Sequence, residues 1–320
     1  MIYIALLVLL IAIELIYFKI ADHFNIIDKP NNRSSHTAIT LRGGGIIFPI
    51  AIIIAFILGY CSLWVTIAVF IVALVSFIDD IRPLSQLPRF ATHLIAVCLI
   101  CYDLNLFTQA LWLLPIIFIL MIGWINAFNF MDGINGITVL YALSAIVAFS
   151  LLDVNESNVP LLMTMGLSCI AFGIFNLRKK AKTFAGDVGS ISMAVFLGYF
   201  MIKTILDTDQ IGFILFFAVY GIDAVITIAK RLKKKENIFE AHRSHLYQYL
   251  ANEMKYSHLT VAIAYAVTQL LLNLTLIYLH NNDNLSLPIV LIMLLALTCV
   301  YLFVRFKIEK KMMSNVDIVK

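Results

Sequence analysis

Carboxylates in two separate parts of the chain are the residues best suited to chemistry. Asp79 and Asp80 are adjacent and close a long apolar run, where two negative charges repel each other unless a cation lies nearby. Asp187 stands between Gly186 and Gly189, at the start of another apolar run. Mg²⁺ binds proteins through one or two carboxylates together with oxygens of a substrate phosphate. The sequence therefore predicts that Asp79, Asp80 and Asp187 hold Mg²⁺, with Mn²⁺ as an alternative, and take part in phosphoryl transfer.

Three further segments carry residue types suited to phosphate, nucleotide or sugar. Glycines before a helix let backbone N–H groups approach an anion, and arginine pairs with phosphate. Amides and carboxylates that recur at every third residue cluster on one side of a helical turn, where they suit a diphosphate, a ribose or a base edge. Two histidines beside an arginine can grip phosphate or sugar. The candidate substrate-binding residues are Arg42, Gly44, Asn129, Asp132, Asn135, His242, Arg243 and His245.

Each segment also has a plainer explanation. Asp187 suits a helix N-cap, residues 129–136 suit an ordinary Asn/Asp/Gly turn, and Arg33 and Arg42 suit a positively charged loop. The Lys and Arg run at 230–235 is interpreted mainly as an anchor to anionic lipid. Asp223 lies within an apolar run and could border the site; intramembrane carboxylates are functional candidates by default.

Long apolar runs separate these polar segments. The 320 residues are 62% hydrophobic and 13% charged, against about 45–50% and 25% in soluble domains. Because a spanning helix needs about 20 apolar residues, the whole chain is used by its spans and short loops. The sequence thus predicts an all-α polytopic membrane protein with a single domain, 1–320. Its eleven predicted transmembrane helices lie near 2–20, 45–60, 63–78, 90–103, 109–128, 136–152, 160–177, 189–206, 211–229, 258–279 and 287–304.

Lysine and arginine set the predicted orientation. With a periplasmic N-terminus and alternating spans, all Lys and Arg residues but Lys203, 22 of the 23, fall at or within the cytoplasmic stretches. The C-terminus is then cytoplasmic, and all five polar segments face the cytoplasm. The positive charge therefore suits membrane lipid and requires no nucleic acid. A transporter of an anionic solute is an alternative, but no convincing internal repeat supports it.

The ordered set of motifs resembles the polyprenyl-phosphate N-acetylhexosamine-1-phosphate transferases of glycosyltransferase family 4. These include undecaprenyl-phosphate GlcNAc-1-phosphate transferases and phospho-MurNAc-pentapeptide translocases. The resemblance covers nearly the whole chain. The motifs that carry it are Arg42-Gly-Gly-Gly45, Asp79-Asp80, Asn129-Phe-Met-Asp132-Gly-Ile-Asn-Gly136, Ala185-Gly-Asp187-Val-Gly-Ser190 and His242-Arg-Ser-His245.

The resemblance implies that a UDP-N-acetylhexosamine and undecaprenyl phosphate give undecaprenyl-diphospho-sugar and UMP. It also implies roles for the motif residues. The aspartate pair deprotonates the lipid phosphate and helps to place Mg²⁺, Asp187 binds the metal, and Asn129 and Asp132 bind the nucleotide diphosphate. His242 and His245 contact substrate phosphate or sugar. A multi-pass protein of the bacterial inner membrane, in which two copies form a homodimer, is implied in the same way.

Two departures from the family pattern bear on the donor sugar. Asn135 stands where many members have a second aspartate, and the histidine segment lacks three consecutive histidines and continues as Tyr247-Gln248. The first bears on the nucleotide contacts, and the second favours a simpler donor, such as UDP-GlcNAc or a 6-deoxy relative. Such a donor would start O-antigen (lipopolysaccharide), capsule or teichoic-acid-like synthesis. The pentapeptide translocase of peptidoglycan synthesis is the alternative.

Overall fold

A computed structural model describes residues 1–30, 35, 38–109, 111–237 and 242–319; Arg33 lies outside this part of the chain. The described chain is almost entirely helical. The helices are α1 (Ile2–His23), α2 (Ile47–Ile57), α3 (Leu63–Ile81), α4 (Gln86–Asp103), α5 (Leu106–Gln109), α6 (Leu114–Phe130), α7 (Ile137–Ser150), α8 (Val159–Asn176), α9 (Gly186–Thr208), α10 (Ala218–Lys233), α11 (Leu246–Gln248), α12 (His258–Asn281) and α13 (Leu287–Val319).

The predicted all-α, multi-pass architecture is confirmed. Within the described ranges, eight helical segments are long and apolar enough to cross a membrane. They are Ile2–His23, Leu63–Ile81, Leu111–Phe130, Asp153–Asn176, Gly186–Thr208, Ile211–Lys233, His258–Asn281 and Leu287–Ser314. The helices Gly44–Ile57 and Ile137–Ser150 are shorter, and α4 corresponds to the predicted span 90–103 but begins at Gln86. The count of eleven spans and the orientation stay predictions.

Local sequence decides where α3 ends. Ser62 caps its first turn, because the Ser62 hydroxyl accepts a hydrogen bond from the Val65 N–H at 3.2 Å. Pro83 disfavours helical backbone at the residue before it, and Arg82 is accordingly extended, with φ −141° and ψ 116°. The helix therefore stops at Ile81 and leaves the adjacent aspartates on its last turn.

Helix α9 is the most buried of the candidate spans, and it packs against α2, α3, α6 and α7. Small residues let other backbone approach it, as in many membrane helix pairs. A Cβ added to Gly45 would lie 2.3 Å from the Cα of Gly189 and 2.6 Å from the carbonyl oxygen of Ala185. Glycine at position 45 therefore permits the loop before α2 to touch the first turn of α9.

A two-stranded antiparallel pairing, β1 (Ile27–Asp28) with β2 (Thr40–Leu41), directs the loop after α1 back toward α9. The N–H of Arg42 donates to the Ile26 carbonyl at 3.0 Å, and the N–H of Phe184 donates to the Leu41 carbonyl at 2.9 Å. These bonds place Arg42 beside the start of α9.

The backbone before α10 is a 3-10 segment, Ile211–Phe217, inside a candidate span. Such a break leaves polar backbone groups that hydrocarbon cannot satisfy. Gln269 of α12 supplies the missing partners, since its Nε2 donates to the Leu215 carbonyl and its Oε1 accepts from the Val219 N–H, both at 2.9 Å. This clamp fixes α10 against α12.

Candidate active site

The carboxylate of Asp80 caps the first turn of α9. Its Oδ1 accepts the N–H of Asp187 and its Oδ2 accepts the N–H of Val188, each at 3.0 Å. The Nε of Arg42 lies 2.7 Å from Oδ1, and the Asp80 side chain is fully buried. A helix N-terminus favours negative charge, and here Asp80 provides it. Both oxygens of Asp80 are therefore occupied by donors of the protein itself.

Asp79 and Asp187 are joined by a residue that the sequence did not single out. Arg89, on the first turn of α4, places Nη1 3.2 Å from Asp79 Oδ2 and Nη2 2.8 Å from Asp187 Oδ2. Asp79 Oδ1 also accepts the Leu84 N–H at 2.6 Å. Arg89 follows the aspartate pair by one short loop, which is the signal that could have identified it. The sequence had used this arginine only as a marker of the cytoplasmic side.

Three carboxylates and two guanidinium groups thus meet where α3, α4 and α9 end or begin. Arg42 Nη2 is 3.8 Å from Asp187 Oδ1. Burial by itself lowers the pKa of the Arg42 guanidinium, but the nearby carboxylates of Asp80, Asp187 and Asp28 outweigh it and raise that pKa above its usual value. Arg42 therefore remains cationic and is suited to bind phosphate.

A polar cavity of about 330 Å³ opens beside this cluster. Five of the predicted site residues line it: Arg42, Asn129, Asp132, Asn135 and Asp187. Asp28, Phe184, Gln248 and His258 contribute to its walls as well. Asp79, Asp80, Gly44, His242, Arg243 and His245 are not among the lining residues. The structure therefore brings the phosphate- and nucleotide-type residues together around one space and leaves the histidine segment behind its wall.

The turn after α6 forms one side of the cavity. Asn129 Oδ1 accepts from the Ser190 hydroxyl at 2.6 Å, which ties this turn to α9. Asn135 is buried, and its Nδ2 donates to the Arg178 carbonyl at 2.9 Å. Burial raises the pKa of Asp132 to about 6, although a hydrogen bond from the Thr138 hydroxyl opposes the shift. Asp132 therefore titrates close to the physiological range.

The glycines of the first loop do not offer amides to an anion, contrary to the expectation for Gly44. Its N–H donates to the Phe184 carbonyl at 2.9 Å, and the N–H of Gly45 donates to the Ala185 carbonyl at 3.0 Å. A Cβ on Gly44 would meet the Thr183 side chain at 2.5 Å. These glycines instead allow the loop backbone to pack closely against the start of α9. This packing places Arg42 beside that helix. The first N–H groups of α9 are likewise taken by Asp80 and not by a ligand.

The histidine segment packs on the turn after α6. The His242 ring centroid lies 6.0 Å from that of Phe130 and 4.9 Å from that of His245. Burial lowers the pKa of His242 to about 4, aided by His245 and Arg231, so that ring is neutral at pH 7. Arg243 lies 3.7 Å from Glu253. Gln248 extends from the segment into the cavity wall, so the segment reaches the cavity indirectly.

The carboxylates differ in how well they fit a metal ion. No group of three His, Cys, Asp or Glu side chains in the described part of the chain has an arrangement that could hold one. The oxygens of Asp80 are already occupied, whereas Asp187 lines the cavity and its Oδ1 lies 3.8 Å from Arg42. Oxygen donors such as carboxylates and amides suit Mg²⁺. Asp187 is therefore the carboxylate best placed to bind Mg²⁺ with substrate oxygens, and the predicted metal role of Asp80 does not agree with its contacts.

Comparison with known proteins confirms the predicted resemblance. The sequence profile of glycosyl transferase family 4 matches residues 62–205. The probable undecaprenyl-phosphate N-acetylglucosaminyl 1-phosphate transferase of Bacillus subtilis is 24% identical over 281 residues, which cover 78% of this chain and 76% of that protein. The undecaprenyl-phosphate alpha-N-acetylglucosaminyl 1-phosphate transferase of Thermotoga maritima is 26% identical, with coverage of 78% and 81%. A phospho-N-acetylmuramoyl-pentapeptide-transferase of Streptococcus suis is 33% identical, but over only 28% of this chain and 29% of its own.

Proposed function

Starting from this similarity to glycosyl transferase family 4, we propose that the protein transfers an N-acetylhexosamine-1-phosphate from a UDP-sugar to undecaprenyl phosphate, releasing UMP. The observation that carries the proposal is that Arg42 and Asp187 line the same polar cavity as Asn129, Asp132 and Asn135. A diphosphate needs cations, and a nucleoside needs amide and carboxylate partners; this cavity offers both. The names of the two long matches agree with the proposed reaction.

The reaction joins an oxygen of the lipid phosphate to the sugar-linked phosphorus of the donor. The bond from that phosphorus to the bridging oxygen breaks, and UMP leaves with the bridging oxygen. Arg42 and Arg89 stabilise the negative charge that develops on the transferred group and on UMP. When bound at Asp187, Mg²⁺ would neutralise diphosphate charge and make the phosphorus a better electrophile. The remaining work of the protein is to position the two phosphates.

Asp79 is the better candidate for the base that removes a proton from the lipid phosphate. Its Oδ2 lies 3.2 Å from Arg89 Nη1, whereas each oxygen of Asp80 accepts a backbone N–H at 3.0 Å. A route through an aspartyl-phosphate is the alternative. Incubation with donor labelled on the sugar-linked phosphate, in the absence of lipid, should leave the protein unlabelled. A phosphorylated aspartate would refute the one-step route.

The remaining parts of the proposal concern the donor and the cell. UDP-GlcNAc or a 6-deoxy relative is the proposed donor, because the histidine segment lacks three consecutive histidines. The product would initiate a cell-envelope polysaccharide at the cytoplasmic face of a bacterial inner membrane. A homodimer is proposed on the resemblance alone. Transfer of phospho-MurNAc-pentapeptide is the second candidate, favoured only by the short, more identical match.

The test is UMP release by purified protein with undecaprenyl phosphate, Mg²⁺ and a panel of UDP-HexNAc donors. Asp187→Asn is compared with Asp207→Asn, the same change near the other end of α9, where Asp207 pairs with Lys203 within the helix. We expect release that needs lipid, is abolished by EDTA and by Asp187→Asn, and is unchanged by Asp207→Asn. UMP release only from the pentapeptide donor would select the second candidate. Retention of intact UDP-sugar inside proteoliposomes would instead indicate a transporter.

A further inference from the structure

A carboxylate buried outside the cavity collects hydrogen-bond donors from four parts of the chain. Asp223 of α10 is fully buried. Its Oδ2 accepts from the Tyr265 hydroxyl of α12 at 2.7 Å. Its Oδ1 accepts from the Tyr301 hydroxyl of α13 at 3.0 Å, the Leu246 N–H at 3.1 Å and the Thr227 hydroxyl at 3.2 Å. Such a set of donors stabilises a carboxylate far from water.

The direction of these hydrogen bonds is fixed by an arginine. Arg305 of α13 is 2% exposed, and its Nη1 donates to the Tyr301 hydroxyl at 2.6 Å and to the Thr227 hydroxyl at 2.7 Å. A guanidinium group is only a donor, and a hydroxyl has one proton to give. Tyr301 and Thr227 must therefore direct their protons to Asp223. The guanidinium is thus the counter-charge of Asp223, acting through two hydroxyl groups.

The same carboxylate determines the protonation of a histidine. His245 Nδ1 lies 3.3 Å from Asp223 Oδ1. Because an ionised carboxylate only accepts, Nδ1 must carry a hydrogen. The Nε2 atom is buried and has no hydrogen-bond partner within the described ranges of the chain. It is therefore left as an acceptor.

The surroundings hold the histidine ring and connect it to the cavity. The N–H of His245 donates to Gln248 Oε1 at 3.1 Å, and Gln248 lines the cavity. The Tyr247 hydroxyl donates to the Phe130 carbonyl at 2.9 Å, next to Asn129. Arg305 Nη2 donates to the Ser244 carbonyl at 2.9 Å, so α13 also holds the backbone before His245.

We propose that Asp223, held by Arg305, is a positioning residue that fixes the ring of His245, with its Nδ1 protonated, and thereby holds Gln248 in the lining of the cavity. This inference deepens the proposed function and, in its effect on the donor, rests on it. The last helix, mostly exposed along its length, thereby becomes part of the site through Tyr301 and Arg305.

A double-mutant cycle in the full-length protein tests whether Asp223 acts through His245. The variants are Asp223→Asn, His245→Gln and the two combined, with Asp207→Asn as the matched control. We expect Asp223→Asn to lower kcat/KM for the UDP-sugar by about 10²-fold through misplacement of the ring, mainly by raising the donor KM. The KM for undecaprenyl phosphate should stay unchanged, and the combined variant should be no worse than His245→Gln alone.

Losses that multiply in the combined variant, or Asp223→Asn with the donor KM of the wild type, would overturn the proposal. Should Asp223→Asn fail to fold, Tyr301→Phe removes one donor to the carboxylate while preserving shape, and it should raise the donor KM in the same direction. An unchanged donor KM in Tyr301→Phe would then count against the proposal.

A second measurement does not depend on catalysis. Nitrogen-15 NMR of histidine-labelled wild-type protein, with the His245 signal assigned by comparison with His245→Gln, reports which ring nitrogen carries hydrogen. We expect hydrogen on Nδ1. Hydrogen on Nε2 alone would overturn the positioning role of Asp223, whatever the assay of UMP release shows. Hydrogen on Nδ1 in a protein that releases no UMP would instead refute the proposed function and leave the Asp223–His245 contact established.

Discussion

Replacing Asp80 by asparagine should damage the fold as well as the activity. The carboxylate presents one oxygen to the Asp187 N–H and the other to the Val188 N–H, and Arg42 pairs with the first. An asparagine side chain has one acceptor oxygen and one NH₂ group. Whichever way it turns, it faces one of the two buried N–H groups with another donor, and it has no charge for Arg42.

The expected cost follows from these contacts. A buried donor left without an acceptor costs about 1–3 kcal/mol, and breaking a buried ion pair costs about 3–5 kcal/mol. The Arg42 side chain is 33% exposed, so the cost of breaking its ion pair with Asp80 lies at the lower end of that range or below it. We expect Asp80→Asn to lower the free energy of unfolding by about 3 kcal/mol. The Asp79→Asn side chain still has an oxygen that accepts the Leu84 N–H, and Arg89 still pairs with Asp187. We therefore expect Asp79→Asn to lower the free energy of unfolding by about 1 kcal/mol or less.

The neighbouring aspartates therefore make a matched pair for one assay. Thermal unfolding of purified protein in detergent should show a melting temperature lowered by roughly 5–10 °C for Asp80→Asn and only slightly lowered for Asp79→Asn. UMP release, normalised to folded protein, should fall more in Asp79→Asn. An Asp80→Asn protein that melts like the wild type but releases no UMP would refute the capping role and assign Asp80 to the chemistry.

Three further predictions concern single residues. Gly45→Ala should destabilise the fold by about 1–3 kcal/mol or more, because its Cβ would meet backbone atoms of α9. The control Gly123→Ala has open space around the added Cβ and should not destabilise the fold. Equal melting temperatures for the two variants would contradict this prediction. Because burial places the pKa of Asp132 at about 6 in the fold, against 3.8 unfolded, folding becomes less favourable as pH rises from about 4 to about 6. The melting temperature of Asp132→Asn relative to the wild type should therefore rise through that window and stay level above it, and a difference independent of pH would count against the shift. Glu14 is buried with neither carboxyl oxygen bonded within the described chain, so Glu14→Met should raise the melting temperature; a fall would indicate an unseen polar role.

The membrane architecture was predictable because it depends on apolar runs that each fold on their own. Hydrocarbon requires every span to satisfy its own backbone, so length and hydropathy suffice to place helices. Boundaries were less predictable. The predicted span 109–128 corresponds to the segment Leu111–Phe130, in which a 3-10 turn precedes α6, and α4 begins before its predicted start. Those starts depend on proline and on tertiary contacts.

The gathering of Arg42, Asn129, Asp132, Asn135 and Asp187 around one cavity was also expected from the sequence, because all were predicted at the same membrane face. The functions of the glycines were not. A run of three glycines has the same appearance whether its amides bind an anion or its missing side chains admit another backbone. Only the hydrogen bonds of Gly44 and Gly45 to Phe184 and Ala185 separate the two cases.

The contact between Asp223 and His245 joins residues that the sequence had judged separately. Both had been candidates, one for lying within a span and one for lying in a polar loop. Nothing in their spacing shows that the loop after α10 folds back to place His245 against α10 itself. The partners that complete the network, Tyr301 and Arg305, come from the last helix, where an arginine near the predicted cytoplasmic end is already explained by the distribution of positive charge.

Adjacent residues on a helix point in directions roughly 100° apart around its axis, and this geometry separates the two aspartates. Asp80 is directed at the first turn of α9, where two N–H groups and Arg42 satisfy it. Asp79 is directed at α4, where it meets Leu84 and one end of Arg89. A sequence motif of two carboxylates suggests one shared metal site, but the neighbouring helices divide the pair. Asp80 fixes the position of Asp187, and the charges that remain to act on substrate phosphates are those of Asp79, Asp187 and the two arginines.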